Sequence, residues 1–423
     1  MSYRIKTLFI VCFLVLFMFV DSFSQSSNNE YNIPTLASVT LHPVDLVAYS
    51  PFIPLEGGRL TFRFDDLTSD YNSYNLRVIH CTNDWWKSDL HPSEYIDGFH
   101  EIAIDDMEDS FGTKVIYTHY RIDLPSDDMV WTRSGNYILE VFDPSDPEYV
   151  VIRKRFVVYE DLCTIEARVV EPVDIALRRT HQEVAFTITE ESYGFQDPYR
   201  NLVATVLQNG RWDNAMSGLE PRFIKGRELD FTQSGYVFPG GNSYRYADLK
   251  SLHYVARGVA GIAEGDITYH HRLEDSKRRT YTYHTAWPDI NGRFVISNDR
   301  YEAHTGSDYT RAHFSLPMPY EIHGREIFIF GDLSNGQCLP THRLQWDFAK
   351  SAYEGNLLLK QGYYDFLYLV KDVNSSIEEP GLTADIEGNH FITNNVYSII
   401  VYFSDFDGYD RVVGVHQWNS SQK

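Results

Sequence analysis

The chain of 423 residues has little cysteine and little positive charge. It contains four Cys, and its 37 Lys plus Arg stand against 59 Asp plus Glu, which gives a formal net charge of −22. So few cysteines argue against a disulfide framework. The shortage of cations argues against nucleic-acid binding, because a protein that binds a phosphate backbone needs a basic face.

The motifs of common catalytic and metal sites are also missing. The 16 His include no H-E-x-x-H, and the Cys include no C-x-x-C. There is no G-x-S-x-G elbow, and the glycines at 258, 261 and 265 do not make a dinucleotide fingerprint. The sequence therefore predicts no catalytic, cofactor-binding or metal-binding residues, no cofactor and no small-molecule ligand. We accordingly expect the protein not to be an enzyme.

Two stretches of the sequence are rich in carboxylates and are candidate cation sites. Residues Asp405 to Asp410 have the oxygen-rich composition of a Ca²⁺ loop, but they lack the twelve-residue spacing and final Glu of an EF-hand. The second stretch runs from Asp105 to Asp109. A solvated turn is the favoured interpretation of both, and Ca²⁺ at Asp405–Asp410 stays open.

A long apolar run occurs only at the start. Arg4 and Lys6 precede 14 apolar residues, Thr7 to Val20, and small residues follow at Ser22 and Ser24. This pattern predicts a secretory signal peptide over residues 1–24. The run is shorter than the roughly 20 residues of a membrane span, so the mature protein is expected to be exported and to have no membrane span.

Aromatic residues, by contrast, make up 15% of the chain. After the leader, apolar and polar residues alternate with period two, as in Tyr137, Leu139 and Val141, which is typical of half-buried strands. The sequence predicts an all-β protein of tandem immunoglobulin-like or early-set β-sandwiches. The expected domains are an N-terminal sandwich at 31–160, a middle sandwich at 161–298 and a C-terminal early-set-like sandwich at 299–423.

The same short motif opens a late strand in two of these blocks. Gly135 and Tyr137 occur with one residue between them, as do Gly362 and Tyr364. A tyrosine in such a position can donate its hydroxyl to the main chain at a sandwich corner. The repeat therefore favours stacked sandwich units.

Charge is unevenly distributed along the chain. Residues 31–160 hold 22 acidic and 10 basic residues, residues 161–298 hold 18 and 16, and the rest hold 17 and 9. The middle block contains the pairs Arg178–Arg179 and Arg278–Arg279, so it is the part best able to meet an acidic partner. Ordinary solvated Arg pairs are the favoured interpretation, and a role in binding stays open.

Adjacent Trp85 and Trp86 follow a predicted strand. We expect both rings to pack over the end of a sandwich. The alternative is that one ring is exposed and serves as an anchor for a partner or a sugar. The sequence does not determine which residues bind a partner.

A series of short motifs spans nearly all of the mature chain. In order these are His80–Trp85, Glu94–Phe99, Thr118–Tyr120, Leu124–Pro125, Ser134–Tyr137, Gly240–Arg245, Asp289–Gly292, Leu359–Tyr364, Glu387–Asn389 and Tyr409–Arg411. The chain thus resembles the type IX secretion system plug protein family of Bacteroidota. Ser243 departs from the family pattern, where an acidic residue is expected.

This resemblance implies a non-enzymatic protein of the periplasm, associated with the periplasmic face of the outer membrane. Its expected partner is the large outer-membrane translocon barrel, whose periplasmic opening it would bind and occlude. The alternative is a secreted carbohydrate-binding sandwich protein, because Phe328–Leu333 and Leu359–Tyr363 resemble early-set domains that bind glycogen-type glucans. An exposed platform of two or three aromatic rings would favour that alternative.

Overall fold

The computed structural model describes residues 35–68, 71–191, 193–232, 235–280, 283–284, 286–299, 302–376, 379–404 and 408–421. The predicted signal peptide at 1–24 lies outside them. Strands dominate this part of the chain, and its helices are each a single turn, so the all-β prediction is confirmed. In the described ranges no helix has the length and apolar character needed to cross a membrane.

The first sandwich is formed by residues between Leu36 and Tyr159. One sheet has the order β1-β3-β8-β7 and the other β2-β11-β10-β4-β6, while β5 and β9 pair separately and α1 precedes β5. The elements are β1 (Leu36–Pro43), β2 (Phe52–Pro54), β3 (Leu60–Asp66), β4 (Asn75–Cys81), α1 (Pro92–Tyr95), β5 (Ile96–Gly98), β6 (Glu101–Ala103), β7 (Asp106–Asp109), β8 (Thr118–Leu124), β9 (Met129–Trp131), β10 (Gly135–Asp143) and β11 (Asp146–Tyr159).

The rest of the chain forms two further sandwiches. Its elements are β12 (Cys163–Val170), β13 (His181–Glu190), α2 (Pro198–Asn201), β14 (Leu202–Gln208), β15 (Met216–Leu219), β16 (Phe223–Lys225), β17 (Glu228–Asp230), β18 (Val237–Pro239), β19 (Arg245–Asp248), β20 (Val259–Glu264), β21 (Tyr269–Leu273), β22 (Phe294–Ile296), α3 (Ala303–Gly306), β23 (Tyr309–Pro317), β24 (Arg325–Phe330), short 3-10 turns at Asp332–Ser334 and Pro340–His342, β25 (Gln345–Asp347), β26 (Ala352–Lys360), β27 (Gly362–Asp372), β28 (Val396–Ser404) and β29 (Asp410–Asn419).

The second sandwich packs the sheet β12-β13-β17-β16, with β18 on β13, against the sheet β15-β14-β28-β29. The third packs β19-β27-β22, with β24 on β27, against β20-β21-β23-β26-β25. Successive side chains of a strand point to opposite faces of its sheet, and this alternation decides which side chains enter each core. In β4 and β10, for example, Leu76 lies opposite Val141 and Val78 opposite Leu139, and all four are buried.

The sheets correct the predicted boundary at Asn298. Strands β28 and β29, predicted to close the C-terminal domain, extend the second sandwich, because β14 pairs along its length with β28 from Leu202↔Phe403 to Gln208↔Tyr397. Strands β19 to β22, predicted in the middle domain, belong to the third sandwich. The third sandwich is thus inserted between strands of the second, and local periodicity carries no information on pairings so distant in the chain.

Both glycine-tyrosine motifs form the expected corner. The hydroxyl of Tyr137 donates to the carbonyl of Arg133 at 2.8 Å, and that of Tyr364 donates to the carbonyl of Lys360 at 2.6 Å. Gly135 has a φ of +152°, and a Cβ there would come within 2.2 Å of a neighbouring histidine ring. Only glycine therefore fits at the first of these corners.

The cysteines in the described residues, Cys81, Cys163 and Cys338, are buried and unpaired. Burial raises the pKa of the Cys81 thiol to about 12. These side chains therefore act as small apolar core residues.

Candidate interaction surface

The first and third sandwiches are joined by a buried ion pair. Lys360 Nζ lies 2.6 Å from Asp65 Oδ2, and the two side chains are 1% and 0% exposed. Asp65 also lies 2.6 Å from His119 Nδ1 and accepts the Tyr309 hydroxyl at 2.6 Å. Burial acts to raise the pKa of Asp65, but Lys360 and His119 outweigh it and hold the pKa below its ordinary value. This cluster fixes one orientation of β3 on β26.

A second contact between the same sandwiches lies at their edge. The Lys114 main-chain N–H donates to Asp308 Oδ2 at 2.7 Å. Its ammonium lies 2.7 Å from Glu264 and donates to the Gly265 carbonyl at 2.8 Å. A loop of the first sandwich is thereby held against a hairpin of the third.

The first and second sandwiches share a small apolar cluster, made of Val157, Leu207, Ile400, Tyr402 and Val412. Trp85 packs at its margin, with its ring edge-on to Trp212 at 4.7 Å and the Arg155 guanidinium 4.6 Å above it. The Tyr402 hydroxyl donates to Asn136 at 3.0 Å across the same junction. This junction therefore combines apolar packing with oriented polar contacts.

The segment from 385 to 393 connects the third sandwich back to the second. At its start Glu387 is fully buried and accepts from Arg245 at 2.9 Å and Arg279 at 2.7 Å. Burial acts to raise the pKa of Glu387, yet the two guanidinium groups outweigh it and lower that pKa. At its end Gln182 donates to the carbonyl of Thr393 at 2.7 Å. Both ends of the connection are therefore fixed.

All three sandwiches line one cleft of about 160 Å³, which contains several cations. Arg211 makes a bidentate pair with Asp213 at 3.0 and 2.6 Å. Arg293 contacts Asp332 at 3.1 Å and Ser50 at 2.8 Å. Since these guanidinium groups are hydrogen-bonded to residues of the protein itself, we interpret the cleft as a packed junction between domains.

The two tryptophans differ in environment. Trp85 is half-buried in the junction just described, while Trp86 is 48% exposed. The φ of Trp85 is +67°, which turns the backbone between the two rings. The expectation that both rings pack is wrong for Trp86, and one ring is available at the surface.

The Arg pairs are mostly exposed. Arg178, Arg179 and Arg278 lie at the surface. The guanidinium groups of Arg178 and Arg278 each donate to a main-chain carbonyl, at 3.1 and 2.6 Å. Arg279 points inward to Glu387. Three of the four side chains can therefore meet a partner.

The carboxylates near Asp105 lie on and beside β7, a fully exposed strand at the edge of its sheet. Charged residues on such an edge prevent pairing with other chains, which accounts for this cluster. Of the proposed Ca²⁺ loop, residues 405–407 lie outside the described residues. Asp410 accepts the Asn83 main-chain N–H at 2.7 Å. Within the described residues no group of three or more His, Cys, Asp or Glu could hold a metal ion.

The residues that suggested glucan binding are mostly interior. Phe328 and Phe330 are buried. Tyr363 is half-buried and its ring is stacked with Tyr246 at 6.3 Å, and Arg257 covers Tyr246 at 4.2 Å. The motif therefore supplies no open platform of rings.

Sequence reasoning missed a group of exposed apolar side chains close to the Arg pairs. They lie in loops, and the signal that could have found them is large apolar residues in segments without alternation. We call the combined surface the loop face; it consists of Val173, Ile175, Arg178, Arg179, Arg278, Tyr283 and Ile392.

The fold and its junctions define an all-β protein of three interconnected sandwiches. Residues 36–160 match the family model described as type 9 secretion system plug protein 1st domain. The chain belongs to the type IX secretion system plug protein family. Membership indicates a role related to type IX secretion, an association with the secretion machinery and a location in the cell envelope.

One solved structure covers nearly the whole chain. The crystal structure of a hypothetical protein from Parabacteroides merdae ATCC 43184 is 32% identical, covers 92% of this chain and 98% of its own, and has a TM-score of 0.88. A partial N-terminal region of enterococcal surface protein is 8% identical over 92% of this chain and 94% of its own, but its TM-score of 0.18 supports no comparison. No curated protein matches the chain.

Proposed function

We propose that this protein is a non-enzymatic plug that binds and occludes the periplasmic opening of the type IX outer-membrane translocon. The observation that carries the proposal is the family match over the first sandwich. The function is steric, because a wide aqueous pore must be closed if the membrane is to stay sealed. No chemical step is required of any residue.

The junctions between domains support this proposal. The buried Asp65–Lys360 pair joins the first sandwich to the third, and the apolar cluster around Tyr402 joins the first to the second, so we infer that the sandwiches behave as one body. A rigid body presents a large preformed surface and loses little conformational freedom on binding. A compact chain of about 400 residues has a radius of gyration of roughly 21 Å, which gives a large cross-section for a stopper.

Conductance tests the steric function directly. The translocon is purified without the plug and inserted in planar bilayers, and the protein is added to the periplasmic side. We expect the conductance to fall in steps as single pores close. An acidic β-sandwich protein of similar size serves as the control and should change nothing. Open pores at saturating concentrations of the protein would refute occlusion.

A pull-down tests the partner. The tagged protein is incubated with outer-membrane extract in mild detergent, and bound proteins are identified by mass spectrometry. We expect the large translocon barrel to be recovered above the level found with the same control protein. Recovery at the control level would contradict the proposed partner.

A further inference from the structure

The loop face is assembled around the connection at 385–393. The main-chain N–H of Phe391 donates to the carbonyl of Arg179 at 2.9 Å, and the N–H of Arg279 donates to the carbonyl of Ile386 at 2.7 Å. Between Ile386 and Phe391 the chain spans at most about 18 Å. The two Arg pairs, a hundred residues apart in sequence, therefore flank a common segment.

Large apolar side chains lie among these cations. Val173, Ile175, Tyr283 and Ile392 are between 68% and 86% exposed. The backbone of Val173 is held in place, because its N–H donates to a carboxylate of buried Glu183 at 3.1 Å. Exposed apolar groups on ordered loops mark interaction sites when they occur together.

The charge of this surface differs from that of the chain. Its exposed cations are Arg178, Arg179 and Arg278, and the acids on the same loop as the first pair are Glu171 and Asp174, of which Glu171 lies 4.0 Å from the Arg178 guanidinium. Two acids of the connection are paired, Glu387 with two arginines and Asp385 with Arg325. At physiological ionic strength charges are screened beyond about 8 Å, so the local field depends on these few groups and not on the net charge of the whole chain.

We propose that the loop face is the docking surface for the translocon, and that it meets a protein surface with carboxylates beside apolar side chains. This inference rests on the proposed function above. Arginine and tyrosine are enriched at protein interfaces, and the guanidinium groups select a partner that presents carboxylates. A protein partner is therefore favoured over a lipid surface.

The test is a charge reversal measured on the full-length protein. The variant carries Arg178→Glu, Arg179→Glu and Arg278→Glu. The matched control carries Lys87→Glu, Arg200→Glu and Lys225→Glu, three exposed cations outside the loop face, of which Arg200 lies in α2 and Lys225 ends β16. Thermal unfolding checks that both fold. Affinity for the purified translocon is measured by surface plasmon resonance.

We expect the loop-face variant to bind at least about tenfold more weakly than wild type, since like charges at a docked surface are strongly unfavourable, while the control keeps wild-type affinity. A second variant, Ile175→Ser with Ile392→Ser, should also weaken binding without changing charge. Wild type that fails to bind the translocon would refute the proposed function itself. Wild type that binds, with a loop-face variant of equal affinity, would overturn only the docking surface.

Vesicles containing an anionic phospholipid distinguish the lipid alternative. We expect no co-sedimentation of wild type with them. Co-sedimentation that the loop-face charge reversal abolishes, together with unchanged translocon affinity, would overturn the proposal and assign the face to the membrane.

Discussion

Replacing Lys360 with methionine should lower the free energy of unfolding by about 3–5 kcal/mol, because it leaves the Asp65 carboxylate buried without its cation. Methionine retains most of the apolar stem of lysine, so loss of packing contributes little. The remaining partners of Asp65 would be His119 and Tyr309. Neither supplies the fixed charge of an ammonium.

The magnitude follows from opposing terms. At the observed 2.6 Å, two unit charges attract by about 6 kcal/mol at an effective dielectric constant of 20. Removing each ion from water costs several kcal/mol. The intact pair therefore contributes little net stability, but a lone buried carboxylate keeps its desolvation cost and loses the attraction.

Urea unfolding followed by tryptophan fluorescence measures the effect. Lys350→Met is the matched control, because that lysine is exposed and lies 3.0 Å from Glu354 near the start of β26; its loss should change stability by no more than about 1 kcal/mol. The double variant Asp65→Asn with Lys360→Met removes both charges and should regain part of the loss. The reasoning fails if Lys360→Met is as stable as the Lys350→Met control, or if the double variant is no more stable than Lys360→Met alone.

Three further predictions concern other parts of the molecule. Tyr137→Phe and Tyr364→Phe should each lower the free energy of unfolding by about 1 kcal/mol, since each removes the hydrogen bond from the tyrosine hydroxyl to a main-chain carbonyl; unchanged urea midpoints would count against the corner bonds. Glu387→Gln leaves two guanidinium groups buried without an anion and should lower the unfolding free energy by about 3 kcal/mol or more, with wild-type stability as the contradicting result. Burial lowers the pKa of His342 to about 4, and the hydrogen bond between its ring and the Leu333 carbonyl offsets part of this shift. As the pH falls from about 6.5 toward 4, this histidine therefore takes up a proton in the unfolded chain but stays neutral in the folded chain. The contribution of neutral His342 to the free energy of unfolding is therefore complete above a pH of about 6.5 and is lost as the pH falls toward 4. His342→Gln should therefore flatten the fall in the urea midpoint over this range of pH. An equally steep fall in the variant would show that this histidine is not responsible.

Much of the fold could be predicted from the sequence because the signals are local. Alternation around Tyr137 and Val141 identifies β10. The glycine-tyrosine corners were visible for the same reason, since the tyrosine bonds to a carbonyl only four residues before it. Each of these features is decided by residues close together in the chain.

The predicted surface was partly visible in the sequence. The Arg pairs and the pair Trp85–Trp86 are candidates in the sequence, without a choice between the two rings, because charge runs and adjacent tryptophans stand out in a strand-rich chain. Their exposure could not be predicted, since Arg279 and Trp85 turn inward while their neighbours do not. Val173 and Ile175 were missed, because apolar residues are ordinarily assigned to a core.

The amino-acid pattern alone determined the strand class, the corner tyrosines and the absence of a disulfide framework, each of which depends on side-chain type and near neighbours. Tertiary structure decided the rest. The pairing of Leu202 with Phe403 joins strands some two hundred residues apart, and the burial of Lys360 depends on a carboxylate in another domain. This strand pairing and this burial depend on which distant parts of the chain pack together, and short-range periodicity does not carry that information.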